Sequence, residues 1–375
     1  MIDIKNNIRF LAIHIINPKA NKEKALHIGE ELEALITTLG GKIVDRVIQM
    51  RENPDNATYI GKGKVMEVLD RIKVVEADVV VLNTMAKPRQ VFALKKALSK
   101  ANPQINVWDR VDLILHIFDK HATTTEAKLQ IELARMRYMG PRIYGMGFVL
   151  SRQGGGIGTS GIGETNTELM KRHWRNEIKK VTDQLEKVSK DKEMQLKRRK
   201  RAGLKTVSIV GYTNAGKSSL FNLLTGKHAL VENALFATLD STVGKMYMSK
   251  LQKEVLVTDT IGFIRNLPPR LINAFKSTLL ESLHSDVLLH LIDVSDPEAN
   301  EKIDVVNDIL RELGRNKEDV IYVFNKIDAV SNLPKEELLK KYELNSPVFI
   351  SVKTGIGISE LQEKIAGKLA QNKIL

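Results

Sequence analysis

Apolar residues recur at two different spacings along the first part of the chain. Over residues 8–16 they run almost unbroken, as in a strand buried on both faces. Over 22–39 they return every three or four positions and stop at Gly40-Gly41, as in a helix closed by glycine. The alternation continues with a strand predicted over 42–49, a helix over 64–75, a strand over 78–82, a helix over 88–100 with proline in its first turn, and a short strand over 105–108. Strands separated by helices predict an α/β domain on a largely parallel sheet. From Asp109 the pattern is helical, and the helix is expected to end at Gly140-Pro141 because proline lacks an amide donor.

The stretch from Gln153 to Gly163 is dominated by glycine, a composition that builds no packed core. A charged helix follows over 164–201 and closes on Lys197-Arg198-Arg199-Lys200-Arg201; Gly203 ends it and a second α/β pattern begins at Leu204. The expected organisation is an N-terminal α/β domain at 1–140, a glycine-rich loop and helical arm at 141–203, and a third module at 204–375.

The third module carries motifs in a fixed order. The strand-like 206–210 leads into Gly211-Tyr212-Thr213-Asn214-Ala215-Gly216-Lys217-Ser218, a G-x-x-x-x-G-K-S phosphate loop between strand and helix. Glycines let the backbone amides curl toward phosphate, Lys217 adds positive charge, and the Ser218 hydroxyl suits Mg²⁺. Asn325-Lys326-Ile327-Asp328 follows an apolar strand. A carboxylate at Asp328 can accept hydrogen bonds from guanine N1–H and N2–H₂, donors that adenine does not present in that arrangement. Asp259-Thr260-Ile261-Gly262 supplies a carboxylate for Mg²⁺ and an amide that can sense the γ-phosphate. Between them, Phe236-Ala237-Thr238-Leu239-Asp240 offers Thr238 as a third Mg²⁺ ligand, with Thr242 its nearest competitor. Ser351-Val352-Lys353 ends a further strand and can contact the base. The order predicts a GTP/GDP site with Lys217 and Gly262 as groups acting on the phosphates. Phe263 stands where Ras-like GTPases carry a water-positioning glutamine, so slow intrinsic hydrolysis is expected. Asn214 is a candidate for holding a monovalent cation, K⁺, that would stand in for a positive finger.

Other features carry less. His116 and His121 lie near Asp112, Asp119 and Glu126, a conceivable metal site against the plainer reading of surface or capping histidines. Trp108 and Trp174 could stack on bases, although Trp108 sits at a strand end. Gly156, Gly158 and Gly161 match G-x-G-x-x-G but follow no clear strand. The 375 residues include no cysteine, which excludes disulfides and thiolate metal sites. The start shows no secretory pattern, and no apolar run is long enough to span a bilayer, so a cytoplasmic protein is expected. The net charge of +13 and a pI of about 9.5 favour polyanionic partners. RNA phosphate is the first reading for the basic arm, which also carries His173, Arg175, Lys179 and Lys180. The alternatives are anionic lipid under a signalling GTPase at a membrane surface, and an RNA-remodelling GTPase.

Beyond these motifs the chain resembles the HflX-type GTPases, relatives of the Obg group. The resemblance extends through 263–268, 274–279 and 286–293. In the N-terminal part it rests on Tyr59-Ile60-Gly61-Lys62-Gly63-Lys64, on 109–115, on 125–134 and on Arg152-Gln153-Gly154-Gly155-Gly156-Ile157-Gly158. It implies a Ras-like G domain after the N-terminal domain and arm, and association with the large ribosomal subunit to split or rescue stalled ribosomes under stress. It also implies that the glycine-rich loop reaches toward the ribosome's catalytic region, and that ATP binds through the N-terminal part. Two departures stand out. Ser160-Gly161-Ile162-Gly163-Glu164-Thr165 replaces the family's Arg-Gly-Pro-Gly-Glu-Thr, and a C-terminal domain present in many members is expected to be missing after Leu375.

Overall fold

The computed structural model describes residues 7–19, 22–153, 166–227, 236, 242–260, 262–264, 284–315, 320–331, 335–342 and 347–371. They fall into two compact units. One takes in residues up to 120 and 128–186; the other takes in 121–127, 187–264 and the described residues from 284 onward.

The first unit is built on β1 (Arg9–Ile16), α1 (Lys22–Leu39), β2 (Lys42–Met50), α2 (Lys62–Val75), β3 (Val79–Leu82), α3 (Pro88–Leu98), β4 (Asn106–Trp108) and α4 (Arg110–His121). Its sheet has the order β2-β1-β3-β4 and every pairing is parallel. The alternation of apolar strands and amphipathic helices fixes this arrangement, because a parallel sheet is covered by the helices that connect its strands. Leu11, Ile13, Val80 and Leu82 meet Val68 and Ile72 of α2 and Leu94 and Leu98 of α3 in one fully buried cluster. The predicted boundaries hold to within two residues.

One expectation fails. α5 (Thr125–Gln153) runs straight through Gly140-Pro141. The reason is tertiary. Arg142, one residue past the proline, donates to Asp112 Oδ2 at 2.5 Å, to Asp109 Oδ2 at 2.7 Å and to the Tyr138 hydroxyl at 2.7 Å. Asp109 is fully buried and Asp112 nearly so. Burial, with Asp109 alongside, pushes the Asp112 carboxyl up to about 7. An interior proline costs about 3 kcal/mol. Leaving two buried carboxylates without their cation costs at least as much, about 3–5 kcal/mol, so the helix continues.

α6 (Asn166–Arg201) forms the long arm. The second unit then places β5 (Thr206–Gly211), α7 (Lys217–Thr225), β6 (Thr242–Met248), β7 (Lys253–Asp259), β8 (Val287–Asp293), α8 (Ala299–Glu312), β9 (Val320–Asn325), a 3₁₀ turn (Ile327–Ala329), α9 (Lys335–Tyr342), β10 (Val348–Phe349) and α10 (Ile358–Gln371). The sheet order is β10-β9-β8-β5-β7-β6, with only the β6–β7 pairing antiparallel. From β5 the chain builds first toward β7 and β6, then crosses to β8, β9 and β10. β5 is therefore the topological switch point, and ligands of open α/β sheets bind beyond the strand ends at such a point.

Candidate nucleotide site

The loop after β5 lies at that switch point. Its turn needs left-handed backbone at Asn214 (φ 64°) and Gly216 (φ 94°). A Cβ on Gly216 would also lie 2.6 Å from Asn325 Nδ2, so glycine is required there twice over. The loop is stitched to the end of the D-T-I-G segment. Phe263 N–H donates to Gly211 O at 3.0 Å, and Thr213 N–H donates to Phe263 O at 2.8 Å.

Lys217 is buried and donates from Nζ to Tyr212 O at 2.8 Å. Burial pushes its ammonium down to about 8, while the Asp259 charge pulls the other way. A Cβ on Gly262 would stand 2.9 Å from Lys217 Nζ, so the glycine backbone passes directly against the ammonium. Ser218 Oγ donates to Asp259 Oδ2 at 2.6 Å, and Asp259 is fully buried at the end of β7. A hydroxyl and a carboxylate meeting at the first turn of α7 form the hard-oxygen donor set that suits Mg²⁺. Thr260 points elsewhere: its hydroxyl donates to Ile209 O at 2.7 Å and braces β7's end to β5. Phe263 is buried and packs inward.

The residues expected on the base side converge from two loops. Asn325 is buried, donates from Nδ2 to Ala215 O at 2.9 Å and accepts from Val352 N–H at 3.1 Å. One side chain thus ties the phosphate loop to the loop after β10. Lys326, at φ 65°, pairs with Asp293 Oδ2 at 2.6 Å. Ile327 N–H donates to Ile350 O at 3.3 Å. Asp328 is exposed and accepts from the buried Ser351 hydroxyl at 2.6 Å. That bond holds its carboxyl below the usual carboxylate range. Lys353 is exposed beside it. Phe236 is buried, whereas Ala237, Thr238, Leu239, Asp240 and Ile261 lie outside the described residues, as does the glycine-rich 154–163.

Three contributors carried no role in the sequence reading. His290, buried in mid-β8, is pushed down to about 3 by burial and then by the charge of Lys217, so it is a neutral imidazole. Its signal was a lone polar residue inside the apolar run 287–292. Asp293, the partner of Lys326, ends the same strand. Lys302 reaches from α8 to the Tyr212 ring. The histidine–acid group near α4 does not form a metal centre: His116 stacks on Trp108 at 4.2 Å and Asp119 pairs with Arg135 at 3.2 Å. Among the described residues no cluster of three or more His, Asp or Glu could hold a metal ion. Trp108 is buried, and Trp174 donates its indole N–H to Met136 O at 3.0 Å. No described helix is long and apolar enough to cross a membrane.

A mostly parallel sheet whose switch-point strand feeds a phosphate loop, with a guanine-type N-K-x-D turn beside it, defines a P-loop GTPase. Family profiles sharpen this. Residues 27–119 match the family described as GTP-binding GTPase N-terminal, 121–199 the GTP-binding GTPase middle region, and 206–326 the 50S ribosome-binding GTPase family. The chain is 42% identical over 361 residues to GTPase HflX of Caldanaerobacter subterraneus subsp. tengcongensis, covering 96% of this chain and 80% of that protein. It is 37% identical to GTPase HflX of Escherichia coli, covering 94% and 82%. The chain therefore belongs to the HflX family of GTPases. Among solved structures it is similar to a GTP-binding protein from Sulfolobus solfataricus in complex with GDP (25% identity, TM-score 0.51, 97% and 99% covered). It is also similar to SsGBP in complex with GDP (27% identity, TM-score 0.56, 99% and 100% covered).

Proposed function

We propose that this GTPase is a nucleotide-driven switch that docks on the large ribosomal subunit and splits or rescues stalled ribosomes under stress. The observation that carries the reading is the arm. α6 ends in the basic turn Arg198-Arg199-Lys200-Arg201, largely solvent-exposed, and only Ala202 to Lys205 separate it from the strand that feeds the phosphate loop. Point charges there suit phosphate in a salt-dependent, sequence-independent way. The match of 206–326 to the 50S ribosome-binding GTPase family supports the same partner.

In the site, water attacks the γ-phosphorus and the bond to the β–γ bridging oxygen breaks, leaving GDP and phosphate. Lys217 leaves Tyr212 O for the phosphates and, with the loop amides from Gly211 to Ser218, stabilises the charge that develops. Ser218 and Asp259 would hold Mg²⁺, with Thr238 assigned from sequence order; the ion, when bound, neutralises phosphate charge. The Gly262 amide senses the γ-phosphate. Asp328, set by Ser351, accepts from guanine, while Asn325, Lys326, Ile327, Val352 and Lys353 shape the base slot. Buried Phe263 offers no group to orient water, so turnover alone is slow. Asn214, exposed on the loop's crest, is where a K⁺ ion would act; equal hydrolysis rates in K⁺ and Na⁺ would remove that role.

The reading assigns 1–140, 141–203 and 204–375 to three modules of a cytoplasmic protein. For a second nucleotide, ATP, we place the site in the crevice of the first module lined by Arg51, Glu52, Asn53, Asn56, Lys87 and Gln90. Its walls follow β2 and β3, on either side of β1, the switch point of that sheet. The partner is tested by replacing all five residues of 197–201 with glutamate. Pelleting with large ribosomal subunits should become weak and lose its salt dependence. Unchanged pelleting with subunits, or binding of the parent chain to anionic vesicles in preference to subunits, would overturn the ribosomal reading in favour of a membrane surface.

A further inference from the structure

The phosphate loop is gripped from beneath by a residue that belongs to none of the nucleotide motifs. Lys302 stands in the first turn of α8, with Nζ 5.0 Å from the centroid of the Tyr212 ring. Two acids at the start of that helix keep it there: Asp296, in a close ion pair, and Glu298 at 3.9 Å. A lysine so near a helix N-terminus opposes the helix dipole, and these acids offset that cost. The Lys302 side chain is 21% exposed and Tyr212 is 6% exposed. The contact is thus mostly shielded from water, the setting in which a cation over an aromatic face is strongest.

Tyr212 is where the loop's internal bonds meet. Its carbonyl holds Lys217 Nζ at 2.8 Å, and its two chain neighbours make the hydrogen bonds to Phe263 on either side of it. Its ring is turned toward α8, where it lines a small cavity with His290, Ile303 and Lys302, so the side chain acts on the loop rather than on the nucleotide. We propose that Lys302 is a positioning residue for nucleotide binding: by holding the Tyr212 ring it seats the phosphate loop in its nucleotide-receiving form. The grip is the same in substrate-bound and transition states. Its loss weakens nucleotide binding and leaves the chemical step nearly untouched.

The test uses the full chain, with stopped-flow release of fluorescent GDP and single-turnover GTP hydrolysis. Lys302→Gln is expected to release GDP about fivefold faster, with single-turnover hydrolysis within about twofold of the parent. Lys302→Arg, which keeps a cation over the ring, should release GDP as slowly as the parent does, and Tyr212→Leu should match Lys302→Gln. A purely structural role for Lys302 would also be rescued by arginine, so the decisive readout is coupling. The double variant Lys302→Gln/Tyr212→Leu should release GDP no faster than either single one. Additive effects, about 25-fold in the double variant, or unchanged release in Lys302→Gln would overturn the assignment. Should Lys302→Gln melt early, Lys302→Met, which keeps the apolar stem and removes the cation, decides, and GDP release as slow as the parent's overturns the assignment.

Discussion

Asn325→Ala is the most searching perturbation of the site because one buried side chain joins its two halves. Asn325 is 2% exposed, donates to Ala215 O at 2.9 Å and accepts from Val352 N–H at 3.1 Å. Truncation leaves a carbonyl and an amide without these partners. Each group left unpaired in the interior costs about 1–3 kcal/mol, so the pair costs about 2–6 kcal/mol, with about 4 as a central figure. In a G domain of this size 1 kcal/mol corresponds to about 2–4 °C of melting temperature, and the expected drop is about 8–16 °C. The assay is calorimetric melting of the nucleotide-free chain, since bound GDP would mask part of the loss. Asn325→Asp should be at least as damaging. It keeps the acceptor for Val352 N–H but turns an oxygen toward Ala215 O. A drop below about 4 °C for Asn325→Ala would refute the idea that this bridge organises the site.

Three further outcomes are expected. Asp328→Asn should weaken GTP and strengthen xanthosine triphosphate, whose C2 carbonyl accepts from the new amide; a calorimetric titration showing the GTP preference intact would remove Asp328 from base reading. The Lys217 ammonium, lowered to about 8 in the nucleotide-free protein, is lost as pH rises through that value, whereas bound phosphates favour it. GDP affinity should therefore fall about fourfold from pH 7 to 8.5, and a flat profile would contradict this environment for Lys217. Arg142→Met should lower the melting temperature of the first unit and increase amide exchange over 143–153. Part of the loss should return as pH falls below about 7, because the neutral form of Asp112 is already favoured there. Destabilisation that deepens on acidification would reverse the argument.

The sequence disclosed local demands more readily than long-range ones. The strands and helices of the first unit follow from the spacing of their own apolar residues, and the phosphate loop follows from glycines whose backbone angles no other residue takes easily. Other features depend on partners far along the chain. α5 ignores Gly140-Pro141 because Arg142 meets carboxylates 30 and 33 positions earlier. Likewise the grip of Lys302 on Tyr212 joins α8 to the loop, and no spacing rule links those positions. His290 broke an apolar run in plain view, but its place beneath Lys217 needed the β5–β8 register, which sets it opposite Val210.

Nucleotide state is expected to set the chain's hold on the large ribosomal subunit, and co-sedimentation with purified subunits at fixed salt measures that coupling. With a non-hydrolysable GTP analogue the chain should pellet with the subunit, and with GDP most of it should stay in solution. Equal pelleting in both states, or none in either, would contradict the account.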